Sequence, residues 1–175
     1  MLRVVENYFN WVILLLMIIR RAVSQDSRTI YNFVLSLDRE DAEVRPPAMT
    51  IEDIANAGFS EDPLYEAYIA ETEGGDPLGA VSFFKGYSGW HARPVAVVHM
   101  LYISKEARRQ NLAHKLMAQV ASIVVERGWA RIQLCVEAEC PAIHFYESIG
   151  MKDSQEKHYM LEGDALTQLA ASSQM

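Results

Sequence analysis

The chain has 175 residues, half of them hydrophobic, so it can bury one sizeable core, and nothing in it reads as an interdomain linker. A formal net charge of −7 argues against a binder of nucleic-acid backbones, which needs a basic face, and suits a cationic small molecule while also serving solubility. Two cysteines, Cys135 and Cys140, supply neither a secreted disulfide framework nor a four-ligand metal set, which points to a reducing, cytoplasmic setting.

The apolar run at residues 11–19 is too short to span a bilayer, for which about twenty residues are needed. Glu6 before it, Arg20 and Arg21 after it, and the lack of a small-x-small cleavage site make it a poor signal peptide. Residues 1–16 therefore read as an N-terminal extension, either from an upstream start codon or as a genuine added element, and residues 17–175 as a single domain. A first strand ends at Arg20-Arg21-Ala22. Ser24 then caps a helix reaching about Asp38, with Ile30, Phe33, Val34 and Leu37 on its buried face. Arg45-Pro46-Pro47 enforces a loop, and Thr50 with Asp53 forms a capping box for a short helix ending at Gly58. Residues 65–72 and 78–85 are strand-like, joined by the turn Glu73-Gly74-Gly75-Asp76-Pro77. Residues 86–94 read as a loop.

The most informative stretch follows. Val97, Val98, Met100, Leu101 and Ile103 form a nearly continuous apolar run, the pattern of a strand covered on both faces. After Arg108 and Arg109, apolar residues from Leu112 to Val124 recur at helical spacing until Gly128 stops the helix. A helix start of this kind presents unpaired N–H groups and a favourable dipole to an anion such as a pyrophosphate. Two arginines there oppose the dipole, and that local cost favours an anion-binding role over an ordinary solvated face. Residues 131–137 read as another strand, with Cys135 as a core thiol between Leu134 and Val136. A helix starts at Pro141, which suits a first turn, and residues 157–161 read as a late strand. Cys140 and His144 share a helix face, but no second pair completes a zinc site.

Arg108-Arg109-Gln110-Asn111-Leu112-Ala113 resembles the Arg/Gln-x-x-Gly-x-Gly/Ala turn of the GCN5-related N-acetyltransferases (GNAT), and residues 141–150, PAIHFYESIG, resemble their C-terminal helix motif. Within that superfamily the chain is most similar to the diamine and polyamine (spermidine/spermine) branch, through Arg20-Arg21-Ala22, the segment 50–59 and Asp62-Pro63-Leu64-Tyr65. The resemblance covers residues 17–170 and implies an α/β (α+β) fold, with a mixed, mostly antiparallel central sheet of about six or seven strands flanked by about four helices. It implies acetyl-CoA as cosubstrate with no metal, and direct transfer of acetyl to the primary amine of a small cationic acceptor: a polyamine, a diamine or a lysine-like molecule. A homodimer is a further implication; neither nucleic acid nor membrane is an expected partner.

The same resemblance assigns residues. Arg108, Arg109, Gln110, Asn111, Leu112 and Ala113 would hold the pyrophosphate, and the backbone of Met100, Leu101, Tyr102 and Ile103 the pantetheine arm, with an N–H near Leu101 facing the thioester oxygen. Tyr146 would be the general acid; without the resemblance it reads rather as a ring packed on Phe145. His99 stands on the strand where the polyamine enzymes carry a glutamate and is the candidate base, with water relayed to Glu66, Glu71 or another loop carboxylate as the alternative. His114 is expected to face solvent or the distal part of the cofactor. Asn111 replaces the usual glycine, tolerating positive φ and serving as an N-cap, and Glu139 replaces a common asparagine before the last helix. These two departures keep open a second reading, a catalytically weak CoA-binding or protein-interaction domain with a regulatory role.

Overall fold

A computed structural model describes residues 17–40 and 48–174; the expected N-terminal extension and the Arg45-Pro46-Pro47 loop lie outside them. The chain divides into two compact units, one ending at Leu134 and one beginning at Cys135.

The first unit is built on a sheet of five strands in the order β1 (Met17–Arg21), β2 (Glu66–Thr72), β3 (Pro77–Ser88), β4 (Arg93–Ile103) and β5 (Ile132–Leu134). The first four pair antiparallel and β5 runs parallel to β4. This order follows from the connections. The Gly-rich turn closes β2 onto β3, with Gly75 N–H donating to the Thr72 carbonyl at 2.9 Å. Residues 89–92 close β3 onto β4, so the expected loop at 86–94 is mostly strand: Gly86, Tyr87 and Ser88 pair with Val95, Pro94 and Arg93. The parallel step to β5 requires a crossover, provided by α3 (Leu112–Glu126). The sheet has five strands among the described residues, fewer than expected, because the anticipated late strand at 157–161 does not form and the one before it is shortened. The segment expected at 131–137 pairs only over Ile132–Leu134, and Cys135, expected in the core, is exposed just beyond it.

Helices cover both faces. On one side α1 (Ser27–Glu40) and α2 (Ile51–Phe59) lay Ile30, Phe33 and Ile54 over Ala67, Ile69, Ala80, Met100 and Tyr102. The rings of Phe33 and Tyr102 stand 5.1 Å apart. On the other side α3 buries Leu112, Leu116, Met117, Val120, Ile123 and Val124, and Trp129 just after it meets Phe83 edge-on. Gly79 is needed where β3 meets β4: a Cβ there would lie 2.6 Å from the Tyr102 carbonyl oxygen. The Thr50/Asp53 capping box forms as expected, with Asp53 N–H donating to Thr50 Oγ1 at 3.1 Å and Thr50 N–H to Asp53 Oδ2 at 2.7 Å. Ser24 does not cap α1. It lies inside a 3₁₀ turn, and Asp26 accepts the Val23 N–H at 2.8 Å instead.

The second unit contains α4 (Ile143–Ser148) and α5 (Gly163–Ala171). Pro141 lies two residues before α4, in a turn that Ile143 N–H closes onto the Cys140 carbonyl at 3.1 Å. Residues 157–161 are not a strand, and Tyr159 and Met160 are exposed. Their apolar character alone cannot make a strand, because a strand needs a ladder partner and this unit offers none among its described residues.

Arg20 ties the sheet to the start of α1. Its guanidinium donates to Asp26 Oδ2 and Oδ1 at 2.7 and 2.9 Å and to Glu71 Oε1 and Oε2 at 2.9 and 2.8 Å. These bonds hold the Asp26 carboxyl below its ordinary value. A depressed carboxylate contributes stability above its unfolded pKa of about 4, and that stability is lost as pH falls through the folded value. Arg20→Gln should therefore cost about 2 kcal/mol at neutral pH, less than a fully buried pair because the arginine is partly exposed, and the difference from wild type should narrow in acid. Urea denaturation of both proteins at neutral pH and at about pH 3 measures it.

Candidate active site

β4 carries the central irregularity. Ser82 pairs with Met100 and Phe83 with Val98, so His99 is the extra residue of a β-bulge. A bulge breaks the alternation of the strand and re-aims side chains. On the opposite edge of β4, pairing with β5 covers only Ala96, Val97 and Val98. β5 reaches no further along β4, so the bulge marks where that ladder ends, ahead of Met100, Leu101, Tyr102 and Ile103. Met100 and Tyr102 are buried; Leu101 and Ile103 are half-buried. Backbone groups at such an edge suit pairing with an extended ligand.

His99 is exposed at one margin yet crowded by neighbours. Its Nε2 lies 3.2 Å from Ser82 Oγ, the Tyr65 ring meets it edge-on at 5.6 Å, and the Phe84 ring stands at 6.1 Å. This enclosure lowers the imidazole pKa below its ordinary value by desolvation. Tyr65 is itself fixed. Its hydroxyl donates to the Ile54 carbonyl of α2 at 3.1 Å, and Gly58 leaves it room, since a Cβ there would stand 2.6 Å from the ring. Burial raises the Tyr65 hydroxyl pKa, so it stays protonated at neutral pH. The sequence placed His99 on a strand but missed Ser82, Tyr65 and Phe84. Ser82 had a signal, as a hydroxyl in an otherwise apolar strand.

The two named alternative carboxylates are both paired with arginines. Glu66 is held by both guanidinium nitrogens of Arg127, one of them at 2.9 Å from Oε2, with Arg21 at 3.4 Å. Arg127 is the main reason its pKa is depressed. Glu71 is bound by Arg20.

Beyond β4 the chain passes through a 3₁₀ turn, Lys105–Ala107, and enters α3. Arg108 Nε donates to the Ile103 carbonyl at 3.1 Å, tying the turn to the end of the strand. Buried Gln110 donates from Nε2 to the Glu106 carbonyl at 3.1 Å. Arg109 and Asn111 both adopt left-handed backbone, at φ 62° and 59°. Asn111 thus takes the conformation that glycine would, and its carbonyl accepts the Lys115 N–H at 3.1 Å. Its side chain does not cap the helix, contrary to expectation. α2, by contrast, starts with a full capping box and two acidic residues. Among the described residues no side chain caps α3 and no acidic residue lies in its first turn, while Arg108 and Arg109 are exposed beside it. Leu112 is buried and Ala113 half-buried, so this donor set fits a phosphate at the exposed end. His114 is exposed, as expected.

In the second unit, Tyr146 is half-buried on α4, its ring 5.3 Å from that of Phe145. Burial, and secondarily Cys140, pushes its hydroxyl pKa up. Glu139 is exposed in the turn before α4. His144 is also exposed and lies 3.6 Å from Glu147, and no group of three metal-ligating side chains occurs among the described residues.

Residues 29–151 match the profile of the Acetyltransferase (GNAT) family. A thialysine N-epsilon-acetyltransferase of Bos taurus is 25% identical over 164 residues, covering 87% of this chain and 96% of that protein. Among solved structures, an integron cassette protein from the mobile metagenome of V. cholerae superposes with a TM-score of 0.72 at 23% identity, over 88% of this chain and 97% of its own. A possible acetyltransferase from Clostridium difficile 630 gives 0.71 at 19% identity, over 85% and 98%. These structural likenesses show the same fold.

The left-handed residue at 111 sets an expectation for stability. Asn111→Gly should stay within about 0.5 kcal/mol of wild type, whereas Asn111→Val should lose about 1–2 kcal/mol because a β-branched side chain resists that backbone. Equilibrium denaturation of the two variants distinguishes a strained turn from one that rearranges freely.

Proposed function

We propose, from the premise that this chain belongs to the acetyltransferase (GNAT) family and is an acyltransferase, that it moves an acetyl group from acetyl-CoA directly to the primary amine of a small cationic acceptor. A polyamine, a diamine or a lysine-like molecule fits that description. The likeness to a thialysine N-epsilon-acetyltransferase over nearly the full length of both chains supports the amine, and the net negative charge agrees with a cationic one. The observation that carries the reading is the uncapped start of α3, with Arg108 and Arg109 beside it and two left-handed residues shaping the turn, at the end of a strand whose edge β5 leaves open.

Acetyl-CoA supplies the acetyl group as a thioester. The N–H groups of the turn from Arg108 to Ala113 and the arginine side chains hold its pyrophosphate, and the β4 edge from Met100 to Ile103 holds the arm as an added strand would. A backbone N–H near Leu101 stabilises negative charge on the thioester oxygen. Tyr146, protonated at neutral pH, keeps a proton available for the departing sulfur. His99, neutral at that pH, stands on the acceptor side at the bulge. Glu66 and Glu71 are committed to arginines, so the ammonium proton goes to solvent or to a group other than these.

Thermal shift with acetyl-CoA, CoA and no ligand, followed by thiol release with a panel of amines, tests the reading. Stabilisation by both nucleotides and thiol release with at least one diamine or lysine-like amine are expected; stabilisation without turnover on any amine would leave a CoA-binding domain. Arg109→Gly keeps the left-handed backbone while removing the charge, and should weaken CoA binding by about 1.5–3 kcal/mol, roughly 10- to 150-fold. Isothermal titration reads it directly. Tyr146→Phe should bind CoA normally yet turn over about 10²–10⁴-fold more slowly. Wild-type kcat in that variant would make Tyr146 a packing residue.

A further inference from the structure

Ser82 is a hydroxyl in the middle of an apolar strand, 1% exposed, between Val81 and Phe83, which are fully buried. Its Oγ has one hydrogen-bond partner among the described residues, His99 Nε2 at 3.2 Å. Resting on the acyl-transfer reading above, we propose that Ser82 is a positioning residue that holds His99 in its Nδ1–H tautomer, so that the ring stays neutral with its Nε2 lone pair engaged and does not act as the proton acceptor.

Two arrangements satisfy the distance. If Nε2–H donates to Ser82, the serine hydrogen is left inside the core with nothing to receive it, and an unmade buried hydrogen bond is costly. If the serine O–H donates to Nε2, the hydroxyl is satisfied and the imidazole hydrogen sits on Nδ1, on a ring whose side chain reaches solvent. The second arrangement leaves nothing buried unpaired. It also spends the lone pair that a base would need. Protonating the ring puts N–H on both nitrogens, turns the serine round and strands its hydrogen, so the contact opposes the imidazolium.

The surroundings act in the same sense. Tyr65 is the titratable side chain in ring contact with His99 and stays neutral, and Phe84 offers only an apolar ring. The carboxylates of the sheet, Glu66 and Glu71, are held by Arg127 and Arg20, and among the described residues none contacts the imidazole. Nothing nearby therefore rewards a positive charge on His99.

The test uses the full chain, labelled with ¹⁵N and free of ligand, so it depends on neither acetyl-CoA nor an amine. Ring-nitrogen NMR should show hydrogen on Nδ1 and an unprotonated, hydrogen-bonded Nε2. Ser82→Ala should raise the His99 pKa by about half to one pH unit, because the hydrogen bond it removes favours the neutral ring, and Ser82→Thr should restore the wild-type value. Hydrogen on Nε2 in the wild type, or a His99 pKa that falls in Ser82→Ala, would overturn the proposal. The wild-type spectrum decides even where a variant fails to fold. With an amine that supports turnover, the rise of rate with pH should survive in His99→Gln; its loss would make the histidine the base. Failure to release thiol with any amine would defeat the acyl-transfer reading while leaving the tautomer assignment intact.

Discussion

The extra residue in β4 is the constraint on which the arrangement of the first unit around His99 depends. With one residue added at His99, Val98 and Met100 pair with adjacent residues of β3, Phe83 and Ser82, and so take opposite faces of the sheet. Phe83 faces the Trp129 and α3 side, while Met100 joins the cluster under α1 and α2. The imidazole is brought over Ser82, between Tyr65 and Phe84, at the point where the β5 ladder has ended. Without the bulge, strand alternation would separate His99 from Met100 and remove the serine contact. Gly79 keeps β3 close to β4 on the far side of the bulge, where any side chain would strike the Tyr102 carbonyl.

Several charges of this unit tie its elements together. Arg20 is engaged by Asp26 and Glu71, and Arg127 by Glu66, so these pairs tie strands to helix ends. The start of α3 is treated differently from that of α2. α2 satisfies its first N–H groups with its own threonine and aspartate, whereas α3 has no side-chain cap and exposed arginines beside it. Helix ends normally find partners, and the proposed pyrophosphate would be the partner of this one. Arg109 and Asn111 in left-handed backbone turn the chain sharply as it enters α3.

Local patterns in the sequence were sufficient for much of this. The capping box at Thr50, the Gly-rich turn after Thr72 and the helix between Leu112 and Gly128 depend on residues a few positions apart, so spacing alone exposes them. The family was legible for the same reason, as its phosphate turn and its Phe-Tyr helix are contiguous motifs, and the match over residues 29–151 agrees. Even the left-handed backbone at Asn111 was foreseeable, because asparagine accepts it at little cost.

What tertiary structure alone decided were the features that depend on a partner distant in the chain. Residues 157–161 carry strand-like side chains but form no strand, and the segment from Arg131 stops pairing at Leu134, since a ladder needs a second backbone that composition cannot reveal. The bulge is a mismatch of register between β3 and β4 and is invisible in either strand alone. The partners of Glu66, Glu71 and His99 likewise lie 61, 51 and 17 positions away. The sequence by itself determined the family, the local elements and the kind of residue at each site position. Only the packed sheet decided which carboxylates are consumed by arginines and which hydroxyl faces the histidine, because those are properties of register and not of spacing.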